Sequence, residues 1–94
     1  MMDNASRLTL LKLNLNAVGS VVYDDLFPSL LDTAKSMIER EGITLDLDES
    51  TEDNNLVIGY AAYLFRQRGD PSMEMPRWLR YGLNNRLFSQ KASG

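Results

Sequence analysis

The chain has 94 residues, 13 acidic and 10 basic, for a net charge of −3, and contains neither cysteine nor histidine. That length makes one domain with a modest core. The missing residues exclude disulfides, thiolate metal sites, cysteine nucleophiles and histidine bases, and they fit a reducing compartment. No apolar run reaches the roughly 18–20 residues of a membrane span. The first residues, MMDNASRLTLLKLNLN, lack the unbroken apolar region of a signal peptide. A soluble, cytoplasmic chain is expected.

The first predicted helix covers residues 6–14. Ser6 can cap it, and Leu8, Leu11, Leu13 and Leu15 give it apolar weight. Leu11, Leu13 and Leu15 also alternate as a strand would. Val18, Gly19 and Ser20 should break the run. The second helix should start at Asp24 or Asp25, either of which can cap it and complement its dipole. Pro28 then falls in the first turn, where its missing N–H costs nothing. Leu26, Leu30, Leu31, Ala34, Met37 and Ile38 form a stripe at helical spacing, with Lys35 and Glu39 outside it and Gly42 as the stop.

Residues 43–55, ITLDLDESTEDNN, read as an acidic loop, part of which could be extended. Asp46 and Asp48 suggest calcium, but the glycine and spacing of an EF-hand are missing, so no metal is expected. Ser50 or Thr51 can cap the third helix, residues 52–68. That helix is apolar on most sides, which predicts a central, buried element. Gly59, Ala61 and Ala62 should let neighbours come close. Arg66 and Arg68 suit its last turn, and Gly69 should stop it before Asp70 and Pro71. The fourth helix should run from Pro76 to about Phe88, with 89–94 as a flexible polar tail. The expected fold is an all-α, four-helix-type bundle: one domain over 1–94, centred on helix 52–68, with a C-terminal helix over 76–88.

Nothing in the chain resembles an active site. There is no phosphate-binding or dinucleotide fingerprint, and the serines have no histidine partner. A carboxylate pair could serve a glycosidase, but a chain this short leaves little room for a sugar cleft. Neither enzyme activity nor a cofactor is expected. Tyr60, Tyr63, Phe65 and Trp78 could line a ligand pocket, although aromatics at helical spacing are far more often core.

The charge is unevenly spread. From Asp24 to Asp53 there are ten acidic residues against Lys35 and Arg40, and from Arg66 to Lys91 six basic residues against Asp70 and Glu74. Two solvated faces would explain this, as would head-to-tail contact between copies. The last third carries side chains common at interfaces. Arg66, Arg68, Arg77, Trp78, Arg80, Tyr81, Asn84, Asn85 and Arg86 are the protein-interface candidates. Arginines on a last helix also fit a helix-turn-helix DNA-binding regulator. The acidic balance and the long link over 69–75 speak against that alternative.

The run 58–68, IGYAAYLFRQR, is followed by a proline-bearing linker and MPRWLRYGLNNR at 75–86. Together with Ala34-Lys35-Ser36-Met37-Ile38, these runs resemble the head–tail connector (adaptor) proteins of tailed bacteriophages and prophages. The resemblance covers residues 8–89 and rests on the order and spacing of three elements. It implies a structural virion protein of the neck region, present in host cytoplasm before assembly. It also implies a ring of about twelve copies under the portal protein that continues the DNA channel and docks neck or tail-completion proteins. DNA would pass without specific binding, and no membrane is involved. An acidic lumen would keep DNA sliding, leaving Arg77, Arg80 and Arg86 for protein contacts. The acidic loop 45–55 has no clear counterpart in the family.

Overall fold

A computed structural model describes residues 4–16 and 25–93. Four helices follow one another: α1 (Asn4–Asn14), α2 (Leu26–Arg40), α3 (Thr51–Gly69) and α4 (Arg77–Ser93). There is no strand among the described residues. The all-α expectation holds, and the strand reading of Leu11, Leu13 and Leu15 gives way to helix and turn. The break expected at Val18, Gly19 and Ser20 and the cap at Asp24 lie outside the described residues.

Local signals account for most helix ends. Helix α1 starts before Ser6, which lies inside it, and it is closed by Asn16 with φ of 56°. Asparagine tolerates this left-handed geometry better than most residues. Asp25 occupies the N-cap position of α2 but makes no side-chain capping bond. Gly42, at φ of 97°, ends α2 as expected, and its N–H returns to the Glu39 carbonyl at 3.0 Å. The α3 cap is Ser50, whose Oγ accepts the Asp53 N–H at 3.1 Å. Pro76 opens α4, its carbonyl accepting the N–H groups of Leu79 and Arg80.

Helix α3 is the centre. It packs against α1, α2 and α4, and Leu56, Val57, Ile58, Tyr60, Ala61 and Ala62 are all buried along it. The α2 stripe, Leu30, Leu31, Ala34 and Ile38, lies against it. Phe27, also on α2, is fully buried and meets Phe65 edge-on with ring centroids 5.4 Å apart. Leu11 is the buried contact of α1, while Leu79 and Leu83 are those of α4. Leu64 is half-buried at the margin of this core.

Helix α4 lies antiparallel to α3. Trp78 sits over Gly59, Gly82 faces Leu56, and Arg86 meets Asp53. Both glycines are needed for this approach. A Cβ on Gly59 would come 2.3 Å from Trp78 Cη2, and one on Gly82 would come 2.8 Å from Leu56 Cδ2. Close approach at Gly59 was expected, whereas its partner across the helix pair was not legible in sequence. Residues 89–93, expected as a loose tail, form the last turns of α4. The physical reason is a side-chain tie: Gln90 accepts the Thr44 N–H at 2.9 Å and donates back to the Thr44 carbonyl.

Candidate functional site

The nine interface candidates separate into engaged and free groups. Arg86 is engaged deepest. Its Nε donates to Asp53 Oδ1 at 2.7 Å and its Nη2 to Oδ2 at 3.1 Å. Asp53 is fully buried, and its Oδ2 also accepts the Asp46 N–H at 2.8 Å. Hydrogen bonding to Asp53 pushes the Arg86 pKa further above its ordinary value. Arg80 forms a forked pair with Glu41, at 2.8 and 3.0 Å, and that bond likewise raises its pKa. Asn84 lies 3.5 Å from the same guanidinium. Arg66 donates to the Asn14 carbonyl and side chain, tying α3 to the end of α1.

These ties place two charges of the basic half against two of the acidic half within one copy. They also shape the acidic loop. Asn54, next to Asp53 and equally enclosed, donates to the carbonyls of Leu47 and Ser50, both at 2.9 Å, and accepts from Arg7 at 2.7 Å. Among the described residues, no buried side-chain nitrogen or oxygen lacks a hydrogen-bond partner. The loop is therefore held as a fixed ridge. Asp46, Asp48, Glu49 and Glu52 stand exposed along it.

The remaining candidates, Arg68 excepted, share the outer side of α4. Tyr81 is 61% exposed, and Phe88, which sequence reading placed only at the helix end, is 74% exposed. They are seven residues apart, so they lie on one line about 10 Å long. Trp78 borders them, 57% exposed despite its contact with Gly59. Arg77, Asn84, Asn85 and Lys91 flank the aromatics, all exposed, and α4 carries no carboxylate. Among the described residues, neither Arg77 nor Lys91 has an ion-pair partner. Arg68 is exposed at the end of α3, away from this face. At about 200 Å² per aromatic side chain, the three rings leave about 400 Å² in water. That matches the largest apolar patch of a typical monomer, the kind that often serves as a contact surface.

The aromatic set considered as a pocket does not converge. Buried Tyr60 and half-buried Tyr63 meet edge-on with ring centroids 6.0 Å apart, Phe65 belongs with Phe27, and Trp78 is outside. Burial first, and then the nearby Glu41 carboxylate, push the Tyr60 phenol above its ordinary 10.0. A hollow of about 190 Å³ between α1 and α2 is lined by Ala5, Leu8, Pro28, Leu31 and Asp32. It is smaller than a typical ligand site. No cluster of three potential metal ligands occurs among the described residues, and none of their helices is long and apolar enough to cross a membrane. No known protein family, characterised protein or solved structure matches the chain.

Proposed function

We propose that the chain is a structural assembly protein of the head–tail connector kind, with the outer face of α4 as its docking platform in the virion neck. The observation that carries this reading is the aromatic line of Tyr81 and Phe88, bordered by Trp78 and left in water on a helix anchored from beneath. The anchors are the buried Leu79 and Leu83, the Arg80–Glu41 and Arg86–Asp53 pairs and the Gln90–Thr44 tie. A face so fixed can bind without ordering itself first, which lowers the entropic cost of docking. Resemblance over 8–89 supplies the assembly, a ring between portal and neck proteins through which DNA passes.

A DNA-binding regulator remains the competing reading. It loses support from Arg80 and Arg86, whose guanidiniums are committed to carboxylates of the same chain. Replacing Tyr81 and Phe88 by serine in the genome that encodes the chain tests the choice. The variant should fold as the parent does and stop particle completion, leaving filled heads without tails. Normal particles from a well-folded variant would sink the connector reading. Salt-sensitive binding of the parent chain to a duplex DNA probe would favour the regulator.

A further inference from the structure

The outer face of α4 has a chemistry that restricts what can cover it. Its apolar line is bounded by Arg77 near one end and Lys91 near the other, with no acidic group along the helix. Charge disfavours pairing two such faces with each other. Laid antiparallel they set Arg77 against Lys91, and laid parallel they set each cation against its own copy. An acidic surface different from α4 is therefore the better complement.

The molecule carries such a surface. Between Glu41 and Phe65 there is no basic residue, and Asp46, Asp48, Glu49 and Glu52 are exposed on the loop and first turn of α3. Asp53 does not add to this field, because Arg86 neutralises it from inside. Leu45 and Leu47 lie half-buried between the acids, giving the ridge apolar ground on which aromatic rings can rest. Bonds from Asp46 and Asn54 hold the backbone of the ridge in place.

We propose that the α4 face of one copy seats on the acidic ridge of a second copy, with Tyr81 and Phe88 over the Leu45 and Leu47 ground and with Arg77 and Lys91 drawn to the exposed acids spread along the ridge, Asp46, Asp48, Glu49 and Glu52. The contact joins two unlike surfaces and so propagates from copy to copy. It rests on the connector reading only in taking a second copy as the occupant. It also assigns the ridge to subunit contact rather than to the channel wall.

Two charge-reversed chains test the contact, R77E/K91E and D48K/E49K. All four positions are exposed, and a glutamate at 77 suits the dipole at the start of α4, so both chains should fold. Native mass measurement and sedimentation over protein and salt concentration are the readouts. The parent should self-associate at low salt, and each variant alone should need at least about tenfold more protein. Mixing the two variants should restore association, because the native ridge of R77E/K91E fits the native α4 face of D48K/E49K. The altered surfaces are also opposite in charge, glutamates at 77 and 91 on one chain against lysines at 48 and 49 on the other, so the mixture should form assemblies in which the two variants alternate. A parent that stays monomeric at low salt and high concentration overturns the proposal, as does a mixture in which the two variants do not associate. The connector reading fails separately, if the chains associate as described and particles form without the α4 aromatics.

Discussion

Arg86 is the residue whose replacement tests the interior most directly. In R86M the alkyl stem is largely kept and the guanidinium is lost. Asp53 then stays fully buried with the Asp46 N–H and no cation. Breaking a buried ion pair from one side costs about 3–5 kcal/mol, chiefly because the abandoned charge has no water. Here the Arg86 side chain is itself 21% exposed, so water can enter its place and the low end, about 3 kcal/mol, is expected. A domain of this size has about 5–14 kcal/mol in all. The melting temperature should therefore fall by about 12–24 °C. Urea unfolding followed by circular dichroism, at concentrations where the chain is monomeric, measures the loss. Adding D53N to R86M removes the stranded charge and keeps an oxygen for the Asp46 N–H, so it should recover more than half. A loss below about 1 kcal/mol in R86M would refute the reasoning. It would mean that Arg86 serves chiefly as a surface group for partners.

The Gly59–Trp78 contact gives an optical test. In G59A the new methyl group must displace the indole, so the emission of the single tryptophan should shift to the red. Stability should change by less than about 1 kcal/mol, because alanine's helix preference offsets the lost contact. Unchanged emission would show that the ring does not rest there. Tyr60 supplies a pH dependence. Its folded pKa is raised, so the unfolded chain gives up that proton first, and stability should fall as pH rises past about 10. Stability curves for the parent and Y60F should converge below that pH in slope and differ above it. Identical slopes throughout would contradict the burial of the phenol.

What the sequence by itself determined is local in physical origin. The apolar stripe of α2, the Gly42 stop, the Ser50 cap and the central character of α3 depend on side chains within a few residues of one another. Such signals survive in any short window. Tertiary structure alone decided which charges stay available. Arg86 finds Asp53 at a separation of 33 residues and Arg80 finds Glu41 at 39, so no local pattern marks them as spent. Asp53 and Asn54 sit in a polar run that reads as solvated loop, yet they are buried because the loop folds back and offers them backbone partners. Trp78 shows the converse. Its size suggests core, but it rests against Gly59 at the margin of the α3–α4 contact, and the ring lies on the surface of the bundle. The outward line of Tyr81 and Phe88 follows from the same cause, since the rotation of α4 is fixed by Leu79, Leu83 and Arg86 beneath it.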